Sequence, residues 1–443
     1  MPRVTPRAGA FFLAVLTLCA LTCEAQAPAT PTNTAGGQLR FVAYLSRHGV
    51  RSPTGNSAQY NAYSAAPWPK WSVQPVYLTA HGYQLMQIFG AYDRLQLSGE
   101  GLLSAAGCDD AARVTIYADS DQRTRETGRA LAAGLFPGCA PEVGGLPEGT
   151  PDALFHPLAA HTNSVDPALA VAAIAGRIGG NPNNPTEAYR AQLTELDRIL
   201  AQCGDPAAPE ANRHSSAANR LSLLELPAKL TPGSEDHLAE LRGPLSTAST
   251  LTENLLLEYT EGMGASNVGW GCVSGTNLRS LLELHTAASE FAQRPRPIAQ
   301  AQASNLLHQI LLSLSQAATG KRQAGAIGRV SDSALFLIGH DTNIASIAGL
   351  LGLEWIADGR RDDTPPGGAL VFELWQPAAG EDFVRVYYTT QTLEQMRSAT
   401  VLTSQNPPVR VPVFVPVCSR ADFTCSLPDF EQALRRLTAE GNP

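Results

Sequence analysis

Three short apolar runs limit the folds open to this chain more than any other feature. Leu39 to Ser46, Arg113 to Ala118 and Ala334 to Gly339 each read as a buried strand. Each breaks off into polar residues. The first delivers Ser46-Arg47-His48-Gly49-Val50-Arg51-Ser52-Pro53, the second Asp119-Ser120-Asp121-Gln122-Arg123-Thr124-Arg125, the third Gly339-His340-Asp341-Thr342-Asn343. Ala369 to Trp375 and Phe383 to Thr390 have the same strand texture. Gln84 to Leu97 has helical periodicity, and Arg123 to Phe136 reads as a helix capped by Asp119 and Ser120. From about residue 160 to 325, Leu, Ala, Gln and Glu dominate, broken by Gly-Asn-Pro-Asn-Asn-Pro at 180–185 and by Gly269-Trp270-Gly271. Strands and helices alternating around an all-helical insertion predict an α/β sandwich with a helical cap domain. The expected boundaries are 38–159 and 326–443 for the α/β domain and 160–325 for the cap. A chain of 443 residues also exceeds the size, roughly 250–300 residues, at which a single core stops growing.

The first residues read as an address. Arg3 and Arg7 precede an uncharged stretch from Ala8 to Cys23, and Ala25-Gln26-Ala27 offers small residues for cleavage. That stretch is short of the ~20 residues a membrane span needs. The expectation is a signal peptide over 1–27, a Pro/Thr/Ala/Gly linker over 28–37, and a periplasmic or secreted product. Beyond the leader stand Cys108, Cys139, Cys203, Cys272, Cys418 and Cys425, an even set that in an exported protein reads as three disulfides. Proximity favours Cys418–Cys425, with Cys108–Cys139 and Cys203–Cys272 the simplest remainder, although other pairings stay open. There is no C-x-x-C pair and no histidine cluster at metal spacing, so no metal and no cofactor is expected. A net charge of −8 argues against nucleic acid or an anionic membrane as partner.

In open α/β sheets, ligands sit beyond the carboxyl ends of the strands. The three strand ends therefore bring several arginines, two histidines and a carboxylate to one crevice. That inventory suits phosphoryl transfer, where the protein positions the group and neutralises its equatorial oxygens. His48 is the expected nucleophile, because a neutral imidazole attacks phosphorus without a separate base. Arg47 and Arg51 flank it, bind phosphate and favour the neutral ring. Gly49 would leave room for phosphate at the backbone, and its amide would hold the ring tautomer. Arg123 adds a third fork, His340 donates to a phosphate oxygen, and Asp341 hands a proton to the leaving group. The bland alternatives are a structural histidine, a helix-capping Asp341 and solvated arginines. Arg125 is read as solvated, and His81, His156, His161, His214, His237, His285 and His308 as structural. Joint arrival at strand ends favours function for the six named residues. A P-loop is excluded because Gly320-Lys321 lacks the upstream glycine, and no G-x-S-x-G elbow is present.

Arg47-His-Gly-Val-Arg-Ser-Pro-Thr54 together with His340-Asp341 resembles the two-part signature of the histidine acid phosphatases, the second branch of the histidine phosphatase superfamily. Asp121 to Gly128, Leu154-Phe-His-Pro157, Leu251-Thr-Glu253, Gly269-Trp-Gly271 and Asn343 through Gly368 further resemble bacterial periplasmic phytases. The resemblance runs over nearly the whole chain beyond the leader. It implies a three-layer α/β sandwich of the phosphoglycerate-mutase-like type, a second all-helical domain, a pocket between them and no metal. It implies His48 as nucleophile, Asp341 as proton donor, Arg47, Arg51, Arg123 and His340 as phosphate ligands, and Thr54 and Glu253 as pocket residues. Cys108–Cys139 and Cys418–Cys425 match bridges of the family. The implied activity is that of an exported, monomeric, metal-independent acid phosphatase acting on small phosphomonoesters, first phytate and alternatively glucose 1-phosphate. A mutase and an inactive phosphate-binding protein are lesser rivals. One departure stands out: Gly55 follows Thr54 where the phytases usually carry lysine.

Overall fold

Alternation along the first strand sets the layering of the molecule. In the computed structural model β1 spans Gly37–Arg47. Phe41, Ala43 and Leu45 pack on one face of the sheet, and Val42 and Tyr44 on the other. Leu39 breaks the alternation because the pairing register shifts between Leu39 and Phe41, and the extra residue turns Leu39 to the second face. The structure describes residues 1–2, 37–55, 57–139, 141–163, 165–203, 220–233 and 237–439. The leader beyond its first two residues, almost all of the linker and His214 lie outside the described residues.

The other main strands are β2 (Val114–Ala118), β3 (Val143–Gly144), β6 (Ala334–Gly339), β9 (Ala369–Pro377), β10 (Phe383–Thr390), β11 (Val409–Val413) and β12 (Cys425–Ser426). Their order is β11-β10-β9-β1-β6-β2-β3, with β12 paired to β10. β1, β6, β2 and β3 run parallel, whereas β9, β10 and β11 are antiparallel to their neighbours. The carboxyl ends of β1, β2 and β6 therefore share one edge. The antiparallel strand β11 and the short β3 and β12 were not expected from sequence; a two-residue strand carries no periodicity to read.

The long helices, in chain order, are α1 (Ala80–Gly99), α2 (Gln122–Leu135), α3 (Pro167–Arg177), α4 (Arg190–Gln202), α5 (Pro244–Thr260), α6 (Gly275–Gln293), α7 (Arg296–Thr319), α8 (Asp341–Leu351) and α9 (Leu427–Ala439). Met86, Phe89 and Leu97 of α1 and Leu131 and Leu135 of α2 cover one face of the sheet. Leu306 and Ile310 of α7, Ile344 and Ile347 of α8, and Phe430 and Leu434 of α9 cover the other. Three layers result. The helix α7 falls within the stretch read as cap, yet its apolar side completes the sandwich. The same stretch holds a hairpin of β4 (Lys229–Pro232) and β5 (Ala239–Arg242), so it is not wholly helical. A second small hairpin, β7 (Ile356–Ala357) with β8 (Arg360–Arg361), lies after α8. Leucines of α4, α5 and α6 form a separate core, and Val50 and Leu85 from the sandwich side join it. Cys203–Cys272 ties the end of α4 to the loop before α6, and Cys108–Cys139 and Cys418–Cys425 are also bridged. Among the described residues no helix is long and apolar enough to cross a membrane.

Two buried carboxyls give the fold a pH dependence. Glu258 of α5 accepts the Gly269 N–H at 3.0 Å, and burial pushes its carboxyl from 4.5 up to about 8. Burial likewise moves Asp93 of α1 from 3.8 to about 8. Above the ordinary carboxyl range the unfolded chain has lost these protons while the folded protein keeps them. The contribution of these two groups is thus fully present in acid and falls as pH rises toward 8, by at most about 1.4 kcal/mol per group for each pH unit. Urea unfolding is expected to show a higher midpoint near pH 5 than near pH 8, with Glu258→Gln flattening the difference. Identical midpoints at both pH values in the wild-type protein would remove this account.

Candidate active site

Parallel pairing does the assembly. Register places Arg47 beside Gly339 and Ala118 beside Ile338, so the residues after β1, β6 and β2 meet at one edge. His48 N–H donates to Gly339 O at 3.0 Å, and the His48 carbonyl accepts Gly367 N–H at 3.0 Å. Arg47 N–H donates to Gly368 O, so the 364–368 segment clamps the loop after β1. The N-terminus of α1 lies directly on this loop: a Cβ at Gly82 would stand 2.1 Å from Val50 O.

The cavity at this edge measures about 520 Å³. Of the eight expected catalytic and substrate residues, His48, Arg51, Thr54, Arg123, Glu253, His340 and Asp341 line it, and Arg47 does not. Arg47 is fully buried behind the wall, donating to Thr364 O at 2.7 Å and pairing with Glu253 and, at 3.2 Å, with Asp341. Glu253 also approaches Arg51 at 3.6 Å. It sits between two cations, which together with His285 outweigh the effect of burial and hold its carboxyl down. Arg123 pairs with Asp121 at 2.6 Å and donates toward His340 Nδ1 at 3.3 Å.

Two expectations about Gly49 are corrected. Its carbonyl, not its amide, accepts from the His48 ring, at Nδ1 and 2.9 Å; the amide donates to Thr127 Oγ1. A carbonyl only accepts, so Nδ1 carries the hydrogen and Nε2 keeps its lone pair. The missing side chain makes room for α1 rather than for a ligand, since a Cβ would meet Met86 at 2.9 Å and Gly82 O at 3.1 Å. Burial, reinforced by Arg123, Arg47 and Arg51, holds the His48 imidazole well below its ordinary value. The ring stays neutral into acid. Burial by itself pushes the Asp341 carboxyl up, but Arg47, His285, Arg51 and His340 outweigh it and leave the group well below the carboxylate range.

Asp119 and Ser120 are not the caps of α2: Asp121 precedes the helix, and the Asp119 carboxylate is turned onto two histidines. Arg125 is not a solvated charge but donates to Leu146 O at 2.9 Å. His156, His237 and His285 line the cavity, against the structural reading given to them. His156 had a signal in the Leu154-Phe-His-Pro157 motif. His285 had none, because it lies inside α6 and reaches the cavity only through the packing of α6 on α5, where its Nδ1 meets Ser249 Oγ at 3.1 Å. His81, bonded to the Met396 carbonyl, keeps the structural role, and neither His161 nor His308 lines this cavity. Asp119, Asp121, His156 and His340 place donor atoms within 4.8 Å of one another, but Asp119 hydrogen-bonds both histidines and Asp121 pairs with Arg123. They form a hydrogen-bonded array rather than a set of open metal donors.

A profile of the histidine phosphatase superfamily (branch 2) matches residues 38–389. The phytase AppA of Escherichia coli (strain K12) is 36% identical over 401 residues, spanning 89% of this chain and 91% of that protein. A glucose-1-phosphatase of Providencia rettgeri is 29% identical, over 95% of this chain and 98% of that protein. The structure of Hafnia alvei phytase in complex with myo-inositol hexakis sulphate aligns with a TM-score of 0.80 at 34% identity, covering 92% of this chain and 98% of that one. With the sandwich fold, the motif residues gathered at one sheet edge and a profile match across most of the sequence, the chain belongs to the histidine phosphatase superfamily, branch 2, and is a phosphoric monoester hydrolase.

Proposed function

We propose that the protein is an exported, monomeric acid phosphatase that hydrolyses phytate through a phosphohistidine on His48, with no metal taking part. The observation that carries the reading is the state of His48: Nδ1 is tied to the Gly49 carbonyl, and burial among arginines keeps the ring neutral, so Nε2 is a free nucleophile in acid. Arg51, Arg123 and His340 bind the reacting phosphoryl group from the cavity wall, Arg47 adds its charge from directly behind them, and Asp341 protonates the leaving oxygen. Thr54 and Glu253 serve the substrate wall. Residues 1–27 act as signal peptide, 28–37 as linker and 160–325 as the insertion into the α/β domain formed by 38–159 and 326–443, with the cap proper ending before α7, which packs on the sheet. Export to the periplasm or medium accords with the three disulfides.

Hydrolysis of glucose 1-phosphate is the second reading, favoured by one feature. Phytate needs positive charge beyond the scissile phosphate, and next to Thr54 this chain carries Gly55. Gly55 has no positive φ, so lysine is conformationally allowed there. A Cβ would meet the Gln59 side-chain oxygen at 2.0 Å and the Tyr60 hydroxyl at 2.8 Å, so the end of Gln59 must swing away and the Tyr60 hydroxyl must give by a few tenths of an ångström. Phosphate release from phytate, glucose 1-phosphate and an aryl phosphate, assayed with chelator present, separates the readings. The expected result is turnover of all three, with Gly55→Lys lowering the KM for phytate by roughly fivefold, the worth of one exposed ion pair, and leaving glucose 1-phosphate nearly unchanged. Turnover of glucose 1-phosphate without phytate would make the second reading the better one.

A further inference from the structure

Asp119 follows β2 as His340 follows β6, and its backbone N–H donates to Ile338 O at 3.0 Å. Its side chain is fully buried. Oδ2 accepts from His340 Nε2 at 2.7 Å and from His156 Nε2 at 3.0 Å, and Oδ1 is buried without a hydrogen-bond partner among the described residues. An ionised carboxylate only accepts, so both Nε2 atoms carry hydrogen. That leaves His340 Nδ1 accepting from Arg123 Nη2 at 3.3 Å, both residues lining the cavity, a contact the ring exchanges for a phosphate oxygen when Nδ1 takes a proton. In a neutral ring Nδ1 is an acceptor and repels a phosphate oxygen. It becomes a donor only when the ring takes a second proton.

We propose that Asp119 is a positioning residue for the hydrolysis: it fixes His340 with Nδ1 facing the phosphoryl group and supplies the buried negative charge that lets this ring carry the second proton. The inference rests on the reading of His340 as a phosphate ligand. The groups facing His340 are His48, edge-on at 5.6 Å between ring centres, His156 at 5.0 Å, Arg123, Asp121 at 3.6 Å, and Asp341 next in the chain. Burial, the Arg123 charge and His156 pull the imidazole down; Asp119 opposes them without reversing the net lowering, and a bound phosphate dianion supplies the further negative charge that lets the second proton stay. Removing its charge lowers the pH at which the imidazolium is lost, so the alkaline limb of the kcat/KM profile moves to lower pH.

The test is Asp119→Asn, which keeps the shape and one acceptor oxygen but not the charge. The expected result is a roughly 10- to 100-fold loss of kcat/KM, the range for one charge-assisted hydrogen bond, together with the shift of the alkaline limb. Asp119→Glu should recover part of both, and the Asn substitution should cost much less in a His340→Ala background. Loss in His340→Ala with an unmoved profile in Asp119→Asn overturns the inference alone. Full activity in His340→Ala overturns the underlying reading as well. Nitrogen NMR of the wild-type protein with inorganic phosphate near pH 5 bypasses any folding defect of the variants: a doubly protonated His340 is expected, and a neutral ring refutes the proposal.

Discussion

His48→Ala is expected to lower kcat by at least about 10⁴-fold on every phosphomonoester, the scale of losing a nucleophile that works as one unit with its neighbours. The fold should survive, because the backbone of residue 48 is held by Gly339 and Gly367 whatever its side chain. Rapid quenching of the wild-type protein with a labelled substrate should trap an acid-labile, alkali-stable phosphoryl group, and the variant should trap none. The pH dependence comes from the lowered imidazole value. A group depressed in the folded protein stays unprotonated as pH falls, so the acid limb of kcat/KM should lie well below the ordinary histidine range. Label retained in His48→Ala would move the nucleophile elsewhere.

Asp341→Asn should separate substrates by leaving group. General-acid catalysis contributes about 10²–10⁴-fold, so alkyl phosphates such as phytate and glucose 1-phosphate should lose that much, and an aryl phosphate far less. The geometry makes the proton conditional. The Asp341 Oδ2 sits 3.2 Å from Arg47, and the surrounding cations hold its carboxyl low despite burial. A phosphate dianion among the arginines offsets their charge, so the Asp341 carboxyl rises on binding and takes up a proton. Sulfate, which stays a dianion through the acid range and releases no proton of its own, should therefore bind with net proton uptake, measurable by calorimetry in buffers of different ionisation enthalpy. Equal losses on aryl and alkyl substrates would reduce Asp341 to the residue that bonds the Thr342 amide at the start of α8.

The main sandwich strands, the helices α1 and α2 and the gathering of the motif residues at one edge are all legible in the amino-acid order. The apolar runs at 39–46 and 334–339 could be read because burial on both faces removes polar residues from a strand over its whole length. Position after a strand end was enough to single out His48, Arg51, Arg123, His340 and Asp341, since parallel strands deliver their succeeding residues to the same side. The surroundings of each side chain are another matter, and packing alone assigns them. Asp119 reads locally as a helix cap, yet its partners, His340 and His156, lie 221 and 37 residues away. His285 reads as one more residue of α6 until Ser249 and Glu253 of α5 pack against it, with Glu253 Oε2 at 3.8 Å. Gly49 looks like space for a ligand, and the space belongs to Met86. Local sequence carries backbone propensity and burial periodicity, which act over neighbouring residues. Hydrogen-bond partners and the charges that move an imidazole or a carboxyl act across contacts far apart in the chain, and these exist only once the sheet has closed.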